Sequence, residues 1–190
     1  DGHKWLQVPF DSGYAIVRDA DALQRSMAIS ASYLPPQGIG DRPPSYLVPE
    51  LSRRARGLPT WAALKSLGRG GVAAMVRQHC ALARQIAADL AQVPGILVMN
   101  AVVLNQVILR FGDDSDSAAR RKVLATAVMD RLVADGIIFA AGAAWRGEWV
   151  MRISVISGAI SDADVAITTK AIRAAWTHVL ADAPSETAVR

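Results

Sequence analysis

The segment Asp1-Gly2-His3-Lys4-Trp5 sets a primary amine between an imidazole and an indole. A turn at Asp11-Ser12-Gly13 and a short apolar run, Tyr14-Ala15-Ile16-Val17, follow it. Burial disfavours an ammonium, so a lysine packed among such groups against a buried strand gives up its proton more easily than a solvated one. A neutral amine can attack an aldehyde, and that is the chemistry this arrangement suggests. The plainer alternative is a surface lysine beside a core tryptophan, and the His-Lys-Trp triplet alone does not separate the two. Further candidate groups lie downstream: Tyr33 in Ser32-Tyr33-Leu34, a basic stretch from Glu50 to Leu58 that includes Ser52, Arg53, Arg54 and Arg56, and Arg152 in Trp149-Val150-Met151-Arg152-Ile153-Ser154.

Taken in order, these segments resemble the group II pyridoxal-phosphate-dependent amino acid decarboxylases, which include the aromatic-L-amino-acid, glutamate and histidine decarboxylases. Lys4 with Trp5, Pro9, Phe10, Asp11 and Gly13 is similar to the family's Schiff-base lysine segment. Tyr33 stands at a spacing similar to that of its catalytic-loop tyrosine. The 50–58 stretch with Trp61 and Leu64 looks like its basic stretch and the helix after it, and 149–154 resembles the arginine-bearing strand of its small domain.

The resemblance implies pyridoxal 5'-phosphate attached to Lys4, with His3 helping to hold the phosphate region. It implies that Tyr33 protonates Cα once the carboxylate has left, that Ser52 with Arg53 approaches the cofactor region of a partner subunit, and that Arg152 orients the mobile loop or the substrate. It further implies an amino acid substrate and a homodimer with sites at the subunit interface. The Lys4 segment is most like the aromatic branch, so an aromatic L-amino acid is the expected substrate. Asp1 stands where many members carry asparagine, and a carboxylate would repel a phosphate, so it is left out of the cofactor-binding set. Tyrosine at 33 favours simple decarboxylation over the aldehyde-forming oxidative deamination associated with phenylalanine in that role. An aminotransferase-like relative and a catalytically silent dimerisation module are the other readings. The family's aspartate for the pyridine nitrogen, its stacking histidine and its phosphate loop precede its lysine, whereas three residues precede Lys4 here. The chain is therefore expected to be the C-terminal portion of a decarboxylase-like polypeptide, with little turnover on its own.

Composition excludes several other classes. With 190 residues, 52% of them hydrophobic, the chain can bury a sizeable core. A formal charge of +4 with only 6% aromatic residues does not suit a nucleic-acid surface, and Arg53, Arg54 and Arg56 suit a solvated face or an anion contact. No apolar run reaches the roughly 18 to 20 residues of a membrane span and the first residues do not form a signal peptide, so a cytoplasmic location is the default. His3, His79 and His178 are far apart and Cys80 is the single cysteine, so neither a metal site nor an internal disulfide is expected. Cys80 reads as a buried, inert thiol. Gly68-Arg69-Gly70-Gly71 lacks the spacing of a phosphate loop and reads as a helix-to-helix connection.

The elements that must position these groups follow from pattern. Residues 1–20 read as a turn and strand, and 21–57 as a long irregular loop, with Pro35-Pro36, Gly38, Gly40 and Pro43-Pro44 opposing helix. Pro59 suits the start of a short helix that Gly68 ends. A second helix, 72–92, carries Val72, Met75, Val76, His79, Ala83, Ile86, Ala87 and Leu90 on one face. Strands are expected at 96–99, 103–111, 137–141 and 148–155, with helices at 118–135, closed by Gly136, and 162–180, opened by a Ser161/Asp164 capping box. Together with the resemblance this gives an α/β protein of the type I pyridoxal-phosphate transferase class. Residues 1–57 form the end of a large cofactor domain with its mobile loop, 58–93 connecting helices, 94–181 an α+β C-terminal small domain, and 182–190 a frayed tail.

Overall fold

The computed structural model describes residues 1–29, 31–33 and 43–182. The loop residues Leu34, Pro35, Pro36, Gly38 and Gly40, and the tail after Asp182, lie outside the described residues. The chain divides into two units, Asp1–Ser66 and Leu67–Arg190.

In the N-terminal unit, His3 and Lys4 lie on a one-turn helix, α1 (Gly2–Trp5), not in a turn leading to a strand. The run 14–17 pairs with no strand among the described residues. A lone strand leaves its amides and carbonyls without ladder partners, so the apolar pattern is not enough to make one. The irregular loop expected over 21–57 is interrupted by α2 (Ala20–Met27) and by a single 3₁₀ turn, Pro44–Leu47. Asp19 caps α2, its Oδ1 accepting the Ala22 N–H at 2.8 Å. Asp21 in the first turn and Arg25 in the last both complement the helix dipole.

Helix α3 (Gly57–Leu90) is broken where the sequence suggests, at Gly68, whose φ of 61° and ψ of 177° belong to a region that only glycine occupies readily. In the C-terminal unit, α3 buries His79, Cys80, Leu82, Ala83, Ile86, Ala87 and Leu90. The His79 Nε2 lies 2.9 Å from the Ser157 carbonyl, which can only accept, so this nitrogen carries the proton.

The sheet is antiparallel throughout, with β1 (Ile96–Val98), β2 (Gln106–Phe111), β3 (Gly142–Trp145) and β4 (Glu148–Ser154) in the order β1-β2-β4-β3. Val107, Leu109 and Phe111 alternate onto the core side, where they meet α4 (Ala118–Ala134) and α5 (Asp162–Asp182) through Leu124, Val128, Leu132, Ile172 and Trp176. Trp176 donates its indole N–H to the Pro94 carbonyl at 2.8 Å. The expected capping box is present: the Ser161 N–H and hydroxyl both donate to Asp164 Oδ2, at 2.8 and 2.7 Å.

Two strand boundaries differ from expectation for local reasons. The strand read as 103–111 begins at Gln106 because Asn100 takes over the ladder before it. Its Oδ1 accepts the Ile108 N–H at 2.8 Å and its amide donates to the Gln106 carbonyl at 3.1 Å. The strand read as 137–141 forms instead at 142–145. Arg146 and Gly147 both have positive φ, 50° and 82°, as a two-residue type I′ hairpin requires. That turn pairs Trp145 with Glu148 and fixes the register of everything behind it.

Arg121 grips Glu148 with two hydrogen bonds, Nε to Oε2 at 3.1 Å and Nη2 to Oε1 at 2.5 Å, which hold the Glu148 carboxyl below its usual range. A hydrogen bond from Arg110 does the same for Asp114, and the bonds from Ser161 do so for Asp164. Folded values below unfolded ones mean that this stabilisation is complete above the unfolded carboxylate range and is lost as pH falls through the folded values. Glu148→Gln is expected to lower stability at pH 7 and to lose stability less steeply than the wild type below about pH 4.5. Urea unfolding across a pH series measures this, and parallel pH curves for the two proteins would refute it.

Candidate active site

The Lys4 segment folds into a small knot tied by main-chain bonds. The Gly2 N–H donates to the Ser12 carbonyl at 2.9 Å, and the Ser12 N–H donates to the Pro9 carbonyl at 3.1 Å. The chain therefore doubles back on itself, and Gly2 is buried beneath the Tyr14 ring. A Cβ at position 2 would lie 2.1 Å from Tyr14 Oη and 2.7 Å from Val8 Cγ2, so only glycine fits there. Tyr14 is itself anchored, its hydroxyl 3.0 Å from Thr60 Oγ1.

Within this knot the His3 ring stacks on Phe10, with centroids 4.4 Å apart and planes 32° apart. The His3 Nδ1 is buried and has no hydrogen-bond partner among the described residues. Lys4 is not buried, as in the plainer of the two readings of its segment: its side chain is 59% exposed, and Nζ lies 3.3 Å from Asp1 Oδ2. The same Asp1 oxygen is 4.0 Å from His3 Nε2, so one carboxylate faces both candidate groups. The basic stretch has a defined anchor that sequence reasoning did not find. Asp11 accepts from Arg56 Nε at 2.7 Å and lies 3.6 Å from Arg54, while Arg53 pairs with Glu50 at 2.9 Å. The signal available was Asp11 itself, the only acid between Lys4 and Asp19.

The other expected site residues are not brought to Lys4. Among the described residues, no hydrogen bond or ion pair links Tyr33 or Ser52 to His3 or Lys4. Tyr33 is 78% exposed, and Ser52 is exposed in a bend. Arg152 belongs to the C-terminal unit. There it lines a cavity of about 200 Å³ with Phe139, Met151, Ser154 and Thr168. No group of His, Cys, Asp or Glu able to hold a metal occurs among the described residues, and no helix there is long and apolar enough to cross a membrane.

The conserved domain of the pyridoxal-dependent decarboxylases matches residues 1–111. The chain belongs to this family. The match also corrects one expectation: the family domain is present, but it lies over the N-terminal part of this chain, so the chain is not simply the family's C-terminal portion. Among curated relatives, an L-aspartate decarboxylase of Thermococcus kodakarensis is 32% identical over 114 residues, 60% of this chain and 28% of that protein. The aromatic-L-amino-acid decarboxylase of Sus scrofa is 27% identical over 185 residues, 93% of this chain and 34% of that protein. The chain thus spans about a third of the length of the curated relatives it matches. Two crystal structures share the fold. Mouse CSAD in apo form has a TM-score of 0.79 at 18% identity over 92% of this chain and 38% of that one. Oryza sativa TDC with PLP and tryptamine has a TM-score of 0.78 at 20% identity over 85% and 34%. The chain therefore shares the mixed α/β fold of these two structures over the third or so of their length that it covers.

For a phosphorylated aldehyde the knot holds a reachable primary amine, an imidazole nitrogen without a partner among the described residues, and a loop closed by main-chain bonds, with the Asp1 carboxylate beside them as a group that opposes a phosphate. Gly2→Ala is expected to push the Tyr14 ring off the knot and break its bond to Thr60, because the far end of that side chain is the group that can yield. Faster cleavage of the 1–20 segment by dilute protease, with the melting of the C-terminal unit unchanged, is the expected result. Unchanged cleavage would contradict the tight fit.

Proposed function

We propose that the protein carrying this chain is a pyridoxal-phosphate-dependent carboxy-lyase that converts an L-amino acid, aromatic by the likeness of its Lys4 segment, to the amine and carbon dioxide. The observation that carries this reading is the Lys4 amine, accessible to solvent, on a knot whose buried His3 nitrogen lacks a partner among the described residues, within the segment that matches the family domain. We assign residues 1–57 to the cofactor-binding domain with its loop, 58–93 to connecting helices and 94–181 to the α+β small domain, in a homodimer.

When bound, the cofactor supplies a conjugated ring that takes up the electron pair left on Cα as the carboxylate departs. The chain's own groups bind and deliver protons around that event. Lys4 presents its amine to the aldehyde carbon. Asp1 Oδ2, 3.3 Å away, would position the Lys4 nitrogen and is near enough to take the proton that this nitrogen must give up before it bonds to carbon. His3 offers a ring nitrogen to the phosphate, its plane set by Phe10. Tyr33 gives a proton to the substrate Cα, Ser52 serves the cofactor region of the partner, and Arg152 orients the substrate or the loop.

Four lysines occur, Lys4, Lys65, Lys122 and Lys170, so the test can be read by position. Borohydride reduction after incubation with pyridoxal phosphate should fix a pyridoxyl group on the Lys4 peptide, and Lys4→Ala should abolish it. Equal labelling of the four lysines, or none, would overturn the assignment. Product analysis then separates the second reading. A 3,4-dihydroxyphenylacetaldehyde synthase of Aedes aegypti is 25% identical over 156 residues, 80% of this chain and 28% of that protein, which keeps aldehyde formation in view. Amine with carbon dioxide is expected from Tyr33, and aldehyde with ammonia would reverse the order.

A further inference from the structure

One group in the knot has no role in that scheme. Ser12 is 2% exposed, yet its hydroxyl has no hydrogen-bond partner among the described residues. A hydroxyl removed from water without a partner is destabilising, and packing alone would be served as well by alanine. Its position is not casual. Its carbonyl accepts from Gly2, two residues before Lys4, and Phe10, two residues before it, stacks on the His3 ring. The knot thus holds two buried polar atoms without partners among the described residues, Ser12 Oγ and His3 Nδ1, on chain segments bonded to one another. Each can donate a proton, the hydroxyl by rotation and the imidazole in one tautomer or when protonated. A pair of donors suits an acceptor with several oxygens and negative charge.

We propose that Ser12 is a further cofactor-positioning residue, whose buried hydroxyl donates to the phosphate of the bound phosphorylated aldehyde. This rests on the reading of Lys4 given above. An interaction of this kind leaves a distinctive pattern: the group is a burden in the unloaded protein and an asset in the loaded one. Ser12→Ala relieves the burden and removes the asset.

The test compares wild type and Ser12→Ala by equilibrium binding of pyridoxal phosphate and of pyridoxal, which has the aldehyde but no phosphate, and by melting of the unloaded proteins. The expected result has three parts. The affinity of Ser12→Ala for pyridoxal phosphate falls about tenfold, the worth of one hydrogen bond to a charged acceptor. Its affinity for pyridoxal is unchanged. Its unloaded form melts at or above the wild-type temperature. A loss of affinity shared equally by both aldehydes, or accompanied by lower melting, makes Ser12 a structural residue and overturns the proposal. Unchanged affinity for pyridoxal phosphate overturns it as well. Wild-type protein that forms no adduct at Lys4 overturns both this inference and the reading beneath it, whereas a normal Lys4 adduct in Ser12→Ala at undiminished affinity removes only Ser12.

Discussion

Strand β2 is hydrogen-bonded along both edges, to β1 through the pairs Ile96–Phe111, Leu97–Arg110 and Val98–Leu109, and to β4 through Gln106–Ser154 to Leu109–Met151. Its alternate side chains Val107, Leu109 and Phe111 are fully excluded from water. A slip of one residue would turn those three away from the core and carry Ile108 and Arg110 into it. Arg110 already lies largely out of solvent and meets Asp114 at 2.6 Å, and moving it away from that partner would leave a guanidinium buried and unpaired. Register is thus fixed twice, by apolar exclusion on one face and by charge pairing on the other. The helices α4 and α5 can pack on this sheet because β2 presents a single, unambiguous apolar side.

Much of this C-terminal unit was legible in the sequence, for reasons that are local. Helices α4 and α5 announce themselves by three-and-four spacing, and their ends by Gly136 and the Ser161/Asp164 box, which act within a few residues. The misplaced strand at 137–141 shows the limit. Ile137, Ile138 and Phe139 have strand-like character, but the hairpin turn at Arg146-Gly147 dictates which residues face β4, and its signal is two residues long. Helix α2 was hidden by the prolines and glycines that follow it, although Asp19 before Ala20-Asp21-Ala22 was a usable cap. The strand expected at 14–17 fails because a strand is a property of a pair, and no single segment encodes its partner.

The candidate site divides in the same way. His3 and Lys4 could be picked out because their chemistry is carried by residue type and order. That Lys4 is solvated and held by Asp1, that Phe10 orients His3, and that Tyr14 seals Gly2 are tertiary facts, and the sequence gives no direct sign of them. Asp11 is the clearest case. It looks like a turn residue, yet it gathers Arg54 and Arg56 onto the knot, so what seemed a free basic cluster is partly neutralised. Burial of the Ser12 hydroxyl was equally invisible, because serine in Asp-Ser-Gly is an ordinary turn residue until the chain doubles back over it.

The hairpin at Arg146-Gly147 also divides the strand pairings by the length of chain that each must close. Its two-residue loop costs little chain entropy to close, so β3 and β4 can meet within microseconds of the chain becoming free to fold. The pairing of β4 with β2 spans the whole of α4 and so carries the larger loop-closure cost. The Arg121 grip on Glu148, which ties the start of α4 to the first residue of β4, fastens the helix to the strand across that longer span.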